Sequence, residues 1–360
     1  MSAQQIQLEC VKGALEDAGL NKDDVDAYFT AGIYPGEMLA TAEYLGIKPT
    51  YVDSTSIGGA SFIAHLGHAA TAIAAGISEV ALITYGSTVL SQMTVIGTGS
   101  APGLSSTTNF EIPYGQTLVG CYALAAQRHA YEFGSTDAQR AEVSVATRKW
   151  ASLNPYAMFQ QPLSIDEVLR SRMISTPLRM LECCIISDGG GAVVVTSAER
   201  ARDLRQQPVY VLGWGEALGH GPNISQMSDF TDALARVSGE KAFKMAGVKP
   251  EDIDVAEIYD SFTITAMLNL EGLGFCPRGE SGHFVSGQRT APGGDFPMNT
   301  DGGGLSSNHP GMRGIFLLIE AVRQLRGDCG ARQVPDAKLA VAHATGGVLS
   351  CCATAILSNE

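Results

Sequence analysis

Ala18-Gly19-Leu20-Asn21-Lys22-Asp23-Asp24-Val25-Asp26 returns in the second half of the chain as Ala246-Gly247-Val248-Lys249-Pro250-Glu251-Asp252-Ile253-Asp254. In each copy a helix with apolar residues at helical spacing ends at Ala-Gly, where glycine supplies the left-handed residue that closes a helix. An acidic turn follows, and Val-Asp or Ile-Asp leads into a strand. An internal repeat takes precedence over any single motif, because it sets the architecture.

The order of elements around the two copies repeats as well. Gly58-Gly59 precedes a small-residue helix over 60–75, and Gly302-Gly303-Gly304 precedes one over 311–325. A strand follows each helix, over 80–85 and over 339–343, the second running on into Thr345-Gly346-Gly347. Strands alternating with helices predict largely parallel sheets with helices on both faces, so two such halves stack into layers. The helix over 60–75 is apolar nearly all round, the pattern of a helix buried between sheets.

One asymmetry stands out. The second copy opens with an apolar strand over 209–214 ahead of its helix, whereas the first begins directly with a helix over 4–18. A core strand is therefore expected to be missing at the N-terminal side, through a misassigned start or a real shortening. Residues 87–174 carry mixed patterns, with a glycine-rich loop over 97–103 and helices over 118–132 and 138–150, and read as an inserted cap. The first half resumes at 180–195, where Asp188-Gly189-Gly190-Gly191 is expected to turn into a strand over 192–195. The organisation expected is 1–86 with 175–205 as the N-terminal half, 87–174 as the cap and 206–360 as the C-terminal half.

Composition narrows the function classes. A chain of 360 residues with 45% hydrophobic and 17% charged content buries one large core or two fused ones. A formal charge of -13 without a dense basic cluster argues against nucleic acid, which needs Lys and Arg against its phosphates. The eight cysteines read as reduced cytosolic thiols, because Cys183-Cys184 and Cys351-Cys352 are poorly placed for ordinary bridges. No Cys-x-x-Cys pair and no His/Asp/Glu cluster has metal-ligand spacing, so no metal is expected. The most apolar region, 57–85, is broken by His65, His68, Glu79 and several glycines, which fits a buried helix and strand better than a membrane span. The protein is read as cytoplasmic. Gly213-x-Gly215 follows a strand, but Gly219 comes one residue late for a dinucleotide loop, and 220–222 does not continue as a helix.

Four stretches carry a family resemblance. They are Leu181-Glu182-Cys183-Cys184-Ile185-Ile186-Ser187-Asp188-Gly189-Gly190-Gly191-Ala192; Glu257-Ile258-Tyr259-Asp260-Ser261-Phe262-Thr263 with Leu273-Gly274-Phe275-Cys276; Asn308-His309-Pro310-Gly311; and His343-Ala344-Thr345-Gly346-Gly347-Val348-Leu349-Ser350. Together they resemble the thiolase superfamily near the sterol-carrier-protein thiolases and the thiolase-like aldolases of side-chain degradation. The resemblance implies an α/β thiolase fold of two duplicated βαβαβαββ halves in five α-β-α-β-α layers, with a loop domain inserted over the site. It also implies a homodimer and an acyl-CoA thioester as substrate, with no further cofactor. A small zinc-ribbon and OB-fold acyl-CoA-binding protein is the implied partner. No lipid-transfer domain is expected to follow Glu360.

A thiolase places its nucleophilic cysteine just before the first-half glycines, at the N-terminus of the buried helix, where the dipole lowers a thiol pKa. Here that stretch is Asp53-Ser54-Thr55-Ser56-Ile57-Gly58-Gly59, and Ser56 is the nearest match. A serine needs an adjacent base to attack a thioester, and the alternative for 54–56 is helix capping. Tyr259 occupies the place of the family's second-half His or Asn; it reads as proton donor or acceptor, or as a core residue. His309, after Asn308, matches the family histidine that deprotonates the nucleophile or supports the thioester oxyanion. His343 stands in the region of the family's second, acid-base cysteine, while Cys351 and Cys352 beyond it read as small core residues. Gly346 and Gly347 are implied as backbone donors to an oxyanion, and Asn308 as a further substrate- or oxyanion-binding residue.

Three functions remain open at this level. Retro-aldol cleavage of a β-hydroxyacyl-CoA needs only a base for the hydroxyl and a stabilised enolate, so it fits a chain without the cysteine. The others are an acyltransferase with a non-standard nucleophile, and a non-catalytic acyl-CoA-binding subunit of a complex.

Overall fold

The computed structural model describes residues 1–32, 36–92, 111–221, 224–232 and 234–360, so the glycine-rich loop over 97–103 lies outside the described residues. The first sheet contains β1 (Ala27–Thr30), β2 (Tyr51–Asp53), β3 (Val80–Ser87) and β4 (Gly189–Thr196). The second contains β5 (Tyr210–Leu218), β6 (Val255–Ile258), β7 (Leu339–Gly346) and β8 (Cys351–Ser358). The principal helices are α1 (Ala3–Ala18), α2 (Glu37–Leu45), α3 (Ser61–Ala74), α4 (Leu118–Phe133), α5 (Asp137–Ser152), α6 (Ala235–Ala246), α7 (Thr263–Gly272) and α8 (Gly314–Arg326).

The repeat is reproduced bond for bond. Gly19 closes α1 at φ 73° and Gly247 closes α6 at φ 71°, a conformation glycine adopts without a Cβ penalty. In the turns that follow, Asn21 N donates to Asp24 Oδ2 and Lys249 N to Asp252 Oδ2, both at 2.8 Å. Asp26 then accepts from Glu79 N at 2.8 Å and Val80 N at 2.9 Å, tying the start of β1 to the start of β3. Asp254 does the same for β6 and β7, accepting from Lys338 N at 2.8 Å and Leu339 N at 2.9 Å. One short carboxylate per half thus sets which strands become neighbours.

The first sheet runs β2-β1-β3-β4, with β1 parallel to β2 and β3 and β4 antiparallel to β3. The second runs β5-β8-β7-β6, with β6 parallel to β7 and β8 antiparallel to both its neighbours. Strand β5 has no counterpart in the first sheet among the described residues. Between the sheets lie α3 and α8, whose Phe62, Ala69, Ile315 and Leu318 share one core with Ala27 and Ile83 of the first sheet and Ala342 and Ala355 of the second. Outside them, α1 covers β3 and β4, while α6 covers β5 and β8. The result is five layers, α-β-α-β-α. Helices α4 and α5 pack over the C-terminal half through α7. Among the described residues no helix is long and apolar enough to cross a membrane.

Gly189, Gly190 and Gly191 do not form a turn; they are the first residues of β4, paired with Ser87, Gly86 and Tyr85. Their lack of a side chain serves close packing: a Cβ on Gly190 would lie 2.4 Å from Tyr85 O, and one on Gly191 2.6 Å from Ile319 Cδ1. Gly213 has the same explanation, because a Cβ there would lie 2.3 Å from Ala242 O under α6.

The two central helices meet at their N-terminal ends, where a Cβ on Gly314 would lie 2.2 Å from Gly59 O. Gly314→Ala is expected to lower stability by about 1–3 kcal/mol, the usual cost of overpacking a close contact. Urea unfolding checks this, and an unchanged midpoint would refute the close crossing.

Candidate active site

His309 is positioned through its backbone. Residues Gly303–Ser307 wind into one wide turn because buried carboxylates take up their N–H groups. Gly304 N donates to Asp260 Oδ1 at 2.7 Å, Leu305 N to Asp260 Oδ2 at 3.3 Å and Gly303 N to Asp301 Oδ1 at 2.8 Å. Gly303 sits at φ 64°, and a Cβ there would lie 2.1 Å from Asp260 Oδ2. The fully buried Arg313 balances both acids, bonded to Asp301 and 3.6 Å from Asp260. Beyond the turn, His309 N donates to Ser187 Oγ at 3.0 Å. Tyr85 at the end of β3 donates its hydroxyl to Pro310 O and accepts from Met312 N at 3.2 Å. First-half residues therefore hold a second-half histidine.

Tyr259 follows β6, and its N donates to His343 O at 2.9 Å. Its ring lies against Gly59, where a Cβ would come within 2.4 Å of Cε2. The Tyr259 hydroxyl is 2.9 Å from His309 Nε2, and the two rings stand edge to face at 88°. Burial, together with the nearby Cys184, Tyr122 and Tyr85, pushes the Tyr259 phenol well above its ordinary value, so it keeps its proton. Burial and the Arg313 charge push His309 down to about 4, so its imidazole is neutral. A protonated phenol against a neutral imidazole forms a pair along which a proton can shift between Oη and Nε2.

The other expected residues divide. Gly346 and Gly347 meet the 57–59 loop backbone to backbone: a Cβ on Gly346 would lie 1.8 Å from Ile57 O, and one on Gly58 3.0 Å from Gly347 N. Gly347 O accepts from Tyr122 Oη at 3.1 Å. Asn308 Oδ1 accepts from Arg313 at 3.3 Å, joining the network under the turn. Ser56 is exposed and makes no hydrogen bond among the described residues, and the capping is done by its neighbours. Asp53 accepts from Thr55 N at 2.7 Å, and Ser61 Oγ accepts from Ile57 N at 2.9 Å. His343 is not brought to the pair. Its ring lies on the face of β7 opposite Ala342 and Ala344, with Nδ1 2.8 Å from Thr354 Oγ1, and burial lowers it to about 3. Its hydrogen bond to Tyr259 is made through the backbone carbonyl.

Asp260, Arg313, Ser187 and Tyr85 were not singled out from sequence. Asp260 and Ser187 lie inside stretches quoted above for the family likeness; for Arg313 and Tyr85 the chain offers no signal beyond position near a helix start and a strand end. All eight cysteines are free, and burial raises every thiol: Cys121 and Cys352 to about 11, Cys183, Cys276 and Cys351 to about 12, and Cys10, Cys184 and Cys329 also upward. Cys351 spends its proton on Ile57 O at 3.1 Å. Among the described residues no group of three or more His, Cys, Asp or Glu side chains could hold a metal ion.

Residues 215–359 match the family described as thiolase C-terminal domain-like. The acetyl-CoA acetyltransferase of Methanothermobacter thermautotrophicus is 35% identical over 353 residues, 96% of this chain and 92% of that protein. The 17-hydroxy-3-oxo-4-pregnene-20-carboxyl-CoA lyase of Mycobacterium tuberculosis is 36% identical, over 90% of this chain and 86% of its own. Among solved structures, the Ltp2-ChsH2(DUF35) aldolase superposes with a TM-score of 0.90 at 32% identity, covering 99% of this chain and 93% of that one. The chain belongs to the thiolase superfamily. Within it, the chain stands with the sterol-carrier-protein thiolases and the thiolase-like aldolases.

The neutral burial of His309 fixes the sign of a pH effect. Unfolded, the ring takes a proton near 6.5; folded, only near 4, so between these values the unfolded state binds more protons. Stability is therefore expected to be complete above pH 6.5 and to fall as pH drops toward 4, with a smaller fall in His309→Gln. Denaturant titrations across that window check it; an identical fall in the variant would place the titration at His65 or His343 instead.

Proposed function

We propose that this protein cleaves the Cα–Cβ bond of β-hydroxyacyl-CoA thioesters by a retro-aldol reaction. The observation that carries the reading is the Tyr259–His309 pair, 2.9 Å apart, with the Tyr259 ring packed against Gly59 of the loop whose resemblance to a thiolase nucleophile loop offers Ser56 in place of a cysteine. The lyase and aldolase relatives support it.

In the proposed step the pair takes the proton of the β-hydroxyl. The Cα–Cβ bond breaks, its electrons pass to Cα as the thioester enolate, and Cβ becomes a carbonyl. A proton returned to Cα gives the shortened acyl-CoA, so no water, oxidant or covalent acyl-enzyme enters the balance. The backbone of Gly346 and Gly347, packed on the 57–59 loop beside Tyr259, is assigned to the enolate oxygen. Residues 87–174 are assigned as the cap that shapes the acyl pocket. By analogy with the Ltp2-ChsH2(DUF35) aldolase we assign a DUF35-type partner, and we assign a homodimeric core working in the cytoplasm.

Mass-spectrometric analysis of CoA thioesters, with matched β-hydroxyacyl- and β-ketoacyl-CoA panels and with or without free CoA, tests the reaction. Cleavage of hydroxyacyl substrates without added CoA is expected. Cleavage of ketoacyl substrates only with CoA would replace the proposal by acyl transfer, the activity named for the acetyltransferase relative, and Ser56→Ala would then abolish it. No turnover without an added DUF35-type protein would assign this chain the role of a dependent subunit.

Tyr259→Phe is expected to lower retro-aldol turnover at least about 100-fold, the range for loss of a positioned acid-base group, while leaving the urea midpoint near that of the parent. Retained turnover would remove Tyr259 from the mechanism.

A further inference from the structure

Glycine peptides rotate readily, so a backbone donor at Gly347 serves catalysis only where its surroundings fix its direction. Gly347 opens the hairpin that joins β7 to β8, and it is the exposed residue of 347–350. On one side of it, Gly346 O accepts from Ser350 N at 3.1 Å. Carbonyl and N–H point opposite ways across a trans peptide, so this bond turns the Gly347 N–H out of the hairpin. That N–H donates to no group among the described residues, and its nitrogen lies against Gly58, where a Cβ would come within 3.0 Å of it.

On the other side, the Gly347 carbonyl is held from α4. Tyr122 Oη donates to Gly347 O at 3.1 Å, while its ring lies on Phe262 with centroids 4.4 Å apart and planes inclined by 32°. Burial pushes the Tyr122 phenol above its ordinary value, so the hydroxyl keeps its proton and remains a donor. Among the described residues no other side chain outside 347–350 hydrogen-bonds to those four residues.

The hairpin has need of such a hold. Leu349 sits at φ 55°, a left-handed conformation that a leucine keeps only where its surroundings over-determine it. Within the turn, Ser350 Oγ accepts from Val348 N at 3.1 Å. Val348 and Leu349 share one core with Tyr122 and Phe262, so the side chains of the hairpin and the ring of α4 are packed together. The hydroxyl of Tyr122 adds the bond that fixes the peptide following Gly347.

We propose that Tyr122 is a positioning residue for the enolate-binding backbone: by holding Gly347 O from α4, it keeps the Gly347 N–H aimed at the thioester oxygen. The assignment rests on the retro-aldol reading above. Tyr122 transfers no proton in it and acts through Gly347 alone. Without the hydroxyl, the Gly347 carbonyl loses its fixed partner and both peptides at this glycine are free to swing. A donor fixed in advance then becomes one that each turnover must order. Because the hold comes from α4, the seating of that helix and the readiness of the oxyanion donor become one event.

Tyr122→Phe tests this, since it keeps a ring on Phe262 and removes only the oxygen that holds Gly347. The kcat for cleavage of a β-hydroxyacyl-CoA is expected to fall at least about tenfold with KM changed less than about twofold, the pattern for an interaction that counts in the transition state. Peptides covering 347–350 are expected to exchange their amide hydrogens at least about tenfold faster, with peptides of α7 exchanging at the parental rate. An unchanged kcat or an unchanged exchange rate overturns the proposal. A raised KM at parental kcat places Tyr122 in substrate binding and overturns it as well. Loss of protection throughout α4 and α7 assigns the hydroxyl to general stability, with the same consequence. If the parent cleaves no β-hydroxyacyl-CoA, the retro-aldol reading fails on its own, and the amide exchange decides the hold on the hairpin: faster exchange in the variant supports it, and equal rates overturn it.

Discussion

The site depends on a contact between backbones. Gly58 and Gly59 of the first half meet Gly314, Gly346 and Gly347 of the second so closely that a side chain on Gly59, Gly314 or Gly346 would overlap main-chain atoms of the other half. Removing Cβ at these positions lets the N-terminal ends of α3 and α8 approach without a layer of side chains between them. Tyr259 then rests on Gly59 and His309 is pinned by Ser187, so each member of the pair also takes a contact from the half to which it does not belong.

The electrostatics beneath the pair follow from the same seam. Asp260 and Asp301 are buried against Arg313, and such a cluster gains little net stability, because desolvation offsets much of the attraction. Its effect is geometric and electrostatic: the carboxylates fix the Gly303–Ser307 turn, and the guanidinium opposes a second positive charge on His309. Burial raises Asp260 to about 6 against the pull of Arg313. Burial, and then the Arg313 charge, keep the imidazole neutral without a hydrogen bond between them.

The parts of this fold legible in the chain are those decided by local physics. Gly19 and Gly247, the acidic turns and the two strand-tying aspartates act within a few residues of themselves or at the start of the next strand, so they appear as a written repeat. His309 was legible for a similar reason, standing at a loop-to-helix joint after a glycine run. His343 was not, because the face of β7 onto which its ring projects is set by the alternation of side chains along a paired strand, and Ala342 and Ala344 hold the face toward the site. The Gly189–Gly191 run misled for a related reason: glycine marks either a turn or a close approach, and only the neighbouring Tyr85 carbonyl and Ile319 distinguish them. Ser187, Tyr85 and Arg313 act across long sequence separations that no local pattern records.

The protonation states bear on which half of the proposed reaction the protein assists. A phenol held above its usual pKa is a poor base, and an imidazole near 4 is a weak one, so neither alone matches the ideal of a group poised near neutrality. Coupled through one hydrogen bond they behave differently. A proton arriving at the Tyr259 oxygen releases the phenolic proton to Nε2, and no isolated phenolate forms in the buried site. The imidazolium so produced lies near Arg313 and is disfavoured, which makes it a ready donor once the enolate carbon becomes basic. In the reaction proposed above, a pair tuned in this way would hold a proton briefly and return it within the same turnover, as C–C cleavage requires. It is a weaker arrangement for sustaining a serine alkoxide at Ser56, for which no hydrogen-bond partner exists among the described residues.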